Sequence, residues 1–186
     1  MGDLERLIAD VERGPSGPDV GAFFDFDGTL IAGYSANAWY GERLRRFDVS
    51  PVELARTLQA GLDMNLRGAD VTQFMEIAVS AWAGRAADEI EELGQRLFVQ
   101  QIAGMAYPEA SPLVHAHRRA GHTIAIASSA TRFQVAPLAK DLEIENTLCT
   151  EVEVVNGLAT GQLGGPVLWG TGKADAVRDF ASARDI

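Results

Sequence analysis

The stretch Ala22-Phe23-Phe24-Asp25-Phe26-Asp27-Gly28-Thr29-Leu30 decides the fold, because an apolar segment typical of a buried strand ends in two carboxylates. Strand side chains alternate between faces, so Asp25 and Asp27 are predicted to project from the same side at the carboxyl end of the strand. Open α/β sheets bind their ligands at that end. A divalent cation, a phosphate-handling site, or a nucleophile with an acid/base partner would each account for the pair.

A second structure remains open for this stretch, since Asp27-Gly28 between apolar residues is also a β-hairpin signal. Two later segments favour a site at a sheet edge. Residues 123–127 form an apolar run that predicts a second buried strand, ending in Ser128-Ser129, and Lys173 lies in a glycine-rich loop at the start of a helical pattern. Alone, the serines would merely end a strand and the lysine would be a solvated helix residue. Their joint occurrence after Asp25 and Asp27 favours one shared site.

These motifs, in this order, resemble those of the haloacid dehalogenase-like superfamily of phosphohydrolases: Asp-x-Asp-Gly-Thr-Leu, a strand ending in Ser or Thr, and a Lys. The resemblance extends from Gly21 to Phe180, and the stretch 107–130 is most similar to subfamily IB, which contains phosphoserine phosphatase. It implies an α/β fold with a three-layer, Rossmann-like parallel sheet core and an inserted all-helical cap.

The pattern along the chain divides it into an N-terminal helix and linker (1–20), a core (21–34 and 106–186) and a helical cap (35–105). Capping signals predict cap helices from Ser50 to about Leu62 and from Val71, after an Asp70 cap, to Trp82 before Gly84, and the pattern predicts another at 87–103. In the second half of the chain we expect helices at 111–120, 131–142 and 172–183, a third strand at 148–150, and a hairpin about Asn156-Gly157.

Composition narrows the function classes. With 16 basic and 26 acidic residues the 186-residue chain has a formal charge of −10, which argues against nonspecific binding to nucleic acid or anionic membranes. The chain contains no apolar run typical of a membrane span, and its single cysteine, Cys149, predicts a small strand residue with no internal disulfide. We therefore expect a cytoplasmic protein, and the family resemblance implies a small phosphorylated metabolite as its partner.

The resemblance implies a role for each motif residue. Asp25 would be the nucleophile that forms an aspartyl-phosphate, and Asp27 the general acid and base. Mg²⁺ would bind the Asp25 carboxylate and the Asp27 backbone carbonyl. The groups expected to hold the phosphate are Phe26, Gly28, Thr29, Ser128, Ser129 and Lys173.

The chain departs from the family pattern at two points. Resembling phosphoserine phosphatases carry a glutamate nine residues after the nucleophile, where this chain has Tyr34, so phosphoserine is not the expected substrate. The family's fourth motif, an acidic strand end, is expected after the Lys173 helix, and Asp179 and Asp185 are poor substitutes. We therefore expect either a fragment of a longer polypeptide, as in relatives fused to a lipid acyltransferase domain, or an incomplete metal site. An uncovered sheet edge would then favour self-association.

Three functions remain open from the sequence. The leading one is a magnesium-dependent phosphatase, and the alternative is a catalytically weak module of a longer polypeptide. Dehalogenation at carbon also uses an aspartate nucleophile, but Asp27 favours phosphoryl chemistry because an alkoxide leaving group needs a proton. The candidate specificity residues of the cap are Tyr34, Arg43, Arg46, Arg67 and Gln73. His115, His117 and His122 are predicted at the surface or in a turn, and Trp39, Phe74 and Trp82 in helix packing.

Overall fold

The computed structural model describes residues 2–46, 49–57, 59 and 71–186. Its helices are α1 (Asp3–Arg13), α2 (Ser35–Arg45), α3 (51–57), α4 (Val71–Ser80), α5 (Ala87–Leu97), α6 (Ala110–Arg119), α7 (Arg132–Asp141) and α8 (Thr171–Ser182). Its strands are β1 (Gly21–Phe24), β2 (Thr123–Thr131), β3 (Asn146–Thr150), β4 (Val152–Val155) and β5 (Leu158–Leu163). No helix in this part of the chain is long and apolar enough to cross a membrane.

The central sheet is parallel, with the order β1-β2-β3. Phe24 lies opposite Ile126, so the carboxyl ends of β1 and β2 meet at one edge. In the part of the chain that the structure describes, β1 has no antiparallel partner following Asp27-Gly28, so the hairpin considered for this dipeptide does not form. Among the described residues β1 pairs with β2 alone, and the expected self-association through its other edge stays a prediction.

Helices cover both faces of the sheet, which gives the predicted three layers. Phe23 and Phe24 are neighbours in β1 and therefore point to opposite faces. The Phe23 ring contacts Phe180 of α8 at 5.9 Å, whereas the Phe24 ring contacts His117 of α6 at 5.7 Å between centroids. The α/β fold with a parallel sheet is thus the one expected from the sequence.

Two strands differ from their predicted bounds. β2 continues to Thr131, beyond its predicted end at Ser128-Ser129. The register of β2 against β3 shifts between Ala127 and Thr131. Because of this irregularity, Thr131 pairs with β3 again, opposite Thr150. β3 begins at Asn146, two residues before the predicted start, and the Asn146 side-chain amide donates to the Ile124 carbonyl at 2.9 Å.

The segment between β1 and β2 is helical, as predicted, with different helix ends. α3 begins after Ser50, whose hydroxyl accepts the Glu53 N–H at 3.1 Å, while its predicted end near Leu62 and the Asp70 cap lie outside the described residues. α4 ends at Ser80, not at Trp82. α5 ends at Leu97 and is followed by a π-helical turn at Phe98–Ile102 and a 3-10 turn at Ala103–Met105, where one helix to Ala103 was predicted.

One hydrophobic cluster joins these helices to the sheet region. Trp39 of α2 contacts Trp82 at 5.2 Å, and Trp82 meets Phe133 of α7 edge-on at 5.7 Å. The packing role predicted for both tryptophans is confirmed, although the contact to α7 was not foreseen. Gly94 lets α5 approach α7 closely, since a Cβ at this position would overlap the Phe133 carbonyl oxygen.

The structure also bears on the predictions for the Asn156-Gly157 turn and for Cys149. Asn156 and Gly157 join β4 to β5 with φ values of 51° and 78°, so the hairpin is confirmed. Cys149 is buried in β3, and burial raises the pKa of its thiol to about 12, as suits a packed rather than a reactive cysteine.

His117, predicted at the surface, is only partly exposed. Its ring is half-buried against Phe24, and its Nδ1 lies 2.8 Å from Nδ1 of His122. His122 Nε2 lies 2.9 Å from the Pro15 carbonyl oxygen, which only accepts, so His122 donates there. Its Nδ1 therefore accepts a hydrogen bond from His117 Nδ1. The sequence placed the two rings five positions apart, and only the bend after α6 brings them together.

Candidate active site

The first carboxylate after β1 is paired with the lysine of the last helix. The Lys173 ammonium, in the first turn of α8, lies 2.8 Å from Oδ1 of Asp25. The Phe26 N–H donates to the same oxygen at 2.8 Å. Both contacts engage Oδ1, and the side chain of Asp25 is 43% exposed, so the carboxylate is oriented yet accessible. Lys173 is therefore a partner of Asp25, not a solvated helix residue.

The second carboxylate caps the helix that follows. Asp27 Oδ1 accepts the Ser35 N–H at 2.6 Å, and Oδ2 accepts the Ser35 hydroxyl at 3.3 Å. Ser35 is the first residue of α2, so the carboxylate lies at a helix N-terminus, where unpaired N–H groups favour an anion. This contact fixes the direction of the Asp27 side chain.

Asp27 has a perturbed acidity. Burial raises its pKa above the ordinary value of 3.8, and the nearby charge of Asp25 raises it further. The hydrogen bonds from Ser35 and the charge of Lys173 oppose this rise. Asp27 therefore lies in an environment that favours its protonated form more than water does.

A buried hydrogen-bond network holds Ser35 itself. The Gln134 side-chain amide donates to the Ser35 hydroxyl at 3.1 Å, and the carbonyl oxygen of the same side chain accepts the N–H and the hydroxyl of Thr131, each at 2.9 Å. Sequence reasoning assigned none of these three residues to the site. Thr131-x-x-Gln134 at the start of α7 is a capping-box pattern and was the one available signal.

The loop after Asp25 is compact and internally bonded. The N–H groups of Thr29, Leu30 and Ile31 all donate to the Phe26 carbonyl, and the Phe26 side chain is fully buried. Gly28 has φ of +76°, a conformation that favours glycine. The amides of Phe26 and Thr29, expected to face a phosphate, here donate to Asp25 Oδ1 and to the Phe26 carbonyl.

The serines at the end of β2 lie at the same sheet edge and have different surroundings. Ser128 is 1% exposed, and its hydroxyl accepts the Ala130 N–H at 3.1 Å. Ser129 is half-buried, and its carbonyl accepts the Thr150 hydroxyl at 2.7 Å. The Thr150 oxygen also accepts the Leu168 N–H at 3.3 Å, which ties the ends of β2 and β3 to the segment before Lys173.

A cavity of about 290 Å³ lies beside Asp27, with Ser129, Tyr34, Phe74 and Trp169 among its lining residues. Of the candidate specificity residues, Tyr34 is thus at the site. The others have different surroundings: Arg43 pairs with Glu53, Arg46 pairs with Glu42, Gln73 lines a separate groove, and Arg67 lies outside the described residues. Trp169 was not among the residues predicted to contribute to the site.

The oxygen donors suit a hard cation, although the described residues contain no cluster of three or more His, Cys, Asp or Glu side chains able to hold one. Asp179 and Asp185 are both exposed and do not complete a cluster with Asp25 and Asp27. Mg²⁺ commonly uses one or two carboxylates together with waters and substrate phosphate. The Asp25 and Asp27 oxygens fit that smaller donor set.

Comparison with known proteins identifies a family. The sequence profile of the haloacid dehalogenase-like hydrolases matches residues 22–186. Phosphoserine phosphatase SerB1 of Mycobacterium tuberculosis is 31% identical over 164 residues, covering 86% of this chain and 53% of that protein. The chain thus spans about half the length of this curated relative.

Solved structures share the fold. A protein of unknown function from Bordetella pertussis superimposes with a TM-score of 0.76 at 22% identity, covering 90% of this chain and 76% of the other. A phospho-aspartyl intermediate analogue of phosphoserine phosphatase superimposes with a TM-score of 0.61 at 18% identity, covering 91% of this chain and 74% of the other. At these identities the likeness concerns the fold.

Proposed function

The chain belongs to the haloacid dehalogenase-like hydrolase family, and from that premise we propose that it hydrolyses small phosphomonoesters through an aspartyl-phosphate. The observation that carries this proposal is the Lys173–Asp25 contact of 2.8 Å at the sheet edge. A cation beside the nucleophile offsets the repulsion between a carboxylate and an anionic phosphate, which is the main barrier to attack.

In the first step, Asp25 attacks phosphorus. Because Oδ1 is held by Lys173 and the Phe26 amide, Oδ2 forms the new P–O bond. The P–O bond to the leaving group breaks, and Asp27 gives its proton to the departing alkoxide, so an alcohol leaves. The raised pKa of Asp27 supports its role as the acid.

In the second step, water attacks the phosphorus of the aspartyl-phosphate. Asp27 takes one proton from that water, the bond between phosphorus and Asp25 breaks, and inorganic phosphate is released with Asp25 regenerated. Ser35 keeps the Asp27 carboxylate in one orientation through both proton transfers. Such fixed positioning is where much of the rate enhancement of phosphoryl transfer arises.

The transferred phosphoryl group is held by several polar groups in this proposal. Lys173 and the Ser128 hydroxyl contact its oxygens, and Ser129 and Gly28 supply the remaining contacts, since the amides of Phe26 and Thr29 are engaged within the loop. Asp25 and the Asp27 carbonyl would hold Mg²⁺, which when bound neutralises phosphate charge. Residues 35–105 act as the cap over the core of 21–34 and 106–186, and a cytoplasmic location stays a prediction.

Phosphate release from a panel of phosphomonoesters, with and without Mg²⁺, tests the proposal on the purified protein. Asp25→Asn should abolish turnover with the fold intact, because it removes the nucleophile with little change in volume. Asp175→Asn is the matched control, since Asp175 is an exposed residue of α8 paired with Arg178. Full activity of Asp25→Asn would overturn the proposal. Absence of activity in the wild-type protein would overturn it as well, and would favour the alternative function, a catalytically weak module.

A further inference from the structure

The cavity beside Asp27 has a distinct chemical character. Its lining combines the aromatic rings of Tyr34, Phe74 and Trp169 with the aliphatic Val71 and the thioether of Met75. Asp27 is the one residue with an acidic or basic side chain among the described lining residues. An anionic group would find no cationic partner among them, and Asp27, which is protonated when it acts as the acid in the proposed function, would offer no negative charge to an ammonium group.

Two of these rings are unusually exposed. Tyr34 is 66% and Trp169 is 55% exposed, and they come from separate parts of the chain, one preceding α2 and one preceding α8. Large apolar surfaces at a concave site mark a place where a ligand removes them from water. Tyrosine and tryptophan supply much contact area at low cost in conformational entropy.

The cavity lies on the leaving-group side of the reaction. Asp27, the proton donor to the alkoxide in the proposed function, lines it, while Lys173 follows Trp169 by four positions in the same segment. An ester whose phosphate lies beside the Asp25–Lys173 pair, with its bridging oxygen toward Asp27, therefore places its carbon portion in the cavity. The volume of about 290 Å³ suits a small organic group.

The apolar character continues beyond this cavity. A smaller cavity of about 50 Å³ shares Ala36, Phe74, Met75 and Gln134 with it, and its other lining includes Trp39, Val79, Trp82 and Arg43, whose guanidinium is paired with Glu53. A ring or short chain reaching inward thus meets further apolar surface.

We infer that the leaving group of the substrate is an uncharged alcohol with an apolar body of about the size of one aromatic ring, held between Tyr34 and Trp169. This inference rests on the proposed function and adds the substrate class. Apolar burial and aromatic contact supply its binding energy.

Three phosphomonoesters test it: phenethyl phosphate, propyl phosphate and phosphoethanolamine. All three leave as primary alkoxides, so they differ chiefly in the group that enters the cavity. With the purified protein we expect kcat/KM for phenethyl phosphate to exceed that for phosphoethanolamine by about tenfold or more, the scale of one buried ring. Tyr34→Ala and Trp169→Ala should each reduce the preference for phenethyl over propyl phosphate, whereas Tyr107→Ala, an exposed tyrosine outside the cavity, should leave it unchanged.

A binding measurement separates this inference from the proposed function. Calorimetry with phenylpropyl phosphonate and butyl phosphonate reports affinity without turnover, and the phenyl compound should bind about tenfold more tightly. Turnover of all three esters with equal or greater preference for phosphoethanolamine would overturn the inference and leave the phosphatase intact. Tighter binding of the phenyl phosphonate without any turnover would support the cavity's specificity while overturning the proposed function, and equal binding of the two phosphonates would overturn the inference.

Discussion

Asp27 and Ser35, eight positions apart, are joined through both carboxylate oxygens, at 2.6 Å to the Ser35 amide and 3.3 Å to its hydroxyl. A carboxylate held in this way is oriented for proton transfer and is also partly removed from water. Burial is the largest influence on its acidity and outweighs the hydrogen bonds, so the pKa of Asp27 is raised. The site therefore holds a group whose charged form destabilises the fold.

Asp27→Asn should stabilise the protein near neutral pH. The wild-type folded state has a raised Asp27 pKa, so the stability that the protonated form contributes is present below the ordinary value of 3.8 and is lost as pH rises through the folded value. The neutral amide avoids this loss and still accepts the Ser35 N–H. We expect the free energy of unfolding to rise by about 1 kcal/mol, the usual size of the gain from one stabilising substitution.

Urea unfolding followed from pH 4 to pH 8 measures this effect. The difference between Asp27→Asn and wild type should grow with pH, and Asp175→Asn is the exposed control. A gain of equal size at all pH values would show that the charge of Asp27 is not its cause.

Asp27→Asn should slow the reaction in proportion to the need of the leaving group for a proton. General acid catalysis contributes about 10²–10⁴-fold, so turnover of propyl phosphate should fall by about that factor. Nitrophenyl phosphate has a good leaving group and should lose much less in the step that forms the aspartyl-phosphate. Burst-phase kinetics isolate that step, and equal losses for both substrates would contradict an acid role for Asp27.

Gly94→Ala should destabilise the fold. Its Cβ would overlap the Phe133 carbonyl oxygen and lie 3.2 Å from Cζ2 of Trp39, so α5 must move away from α7. Overpacking of this kind costs about 1–3 kcal/mol. Gly104→Ala is a suitable control, since its Cβ would meet no atom within 4 Å. Thermal unfolding that shows equal midpoints for the two variants would contradict the close packing of α5 on α7.

The His117–His122 pair should make stability fall in mild acid. Burial lowers the pKa of His117 below its ordinary value of 6.5, and the charge of His122 lowers it further. The folded pKa is depressed, so the stability contributed by neutral His117 is present above 6.5 and is lost as pH falls toward the folded value, because the unfolded chain takes up the proton first.

His117→Asn keeps a donor for His122 and cannot titrate in this range. The thermal unfolding midpoint of His117→Asn should therefore fall less between pH 7.5 and pH 5 than the midpoint of the wild-type protein. His115→Asn, on the exposed side of the same helix, is the matched control. An identical pH dependence in His117→Asn and wild type would exclude the pair as the source.

Local patterns in the sequence determined much of this molecule. The apolar run before Asp25, the Asn156-Gly157 turn and the Ser50 cap each depend on neighbours a few positions away, so strand, hairpin and helix start could be predicted from them. The order of the three motifs also indicated that Asp25 and Lys173 share an edge. That inference needed only a parallel sheet, because its carboxyl strand ends lie together.

Tertiary structure alone decided how the site is completed. Gln134 reaches Ser35 across 99 positions of sequence, and the rings of Tyr34 and Trp169 meet at one cavity although 135 residues separate them. His117 looked exposed because its helix pattern does not reveal the turn that returns His122 to it. Such contacts depend on how helices pack and which polar groups need partners once buried, and these conditions are set only when the whole chain is folded.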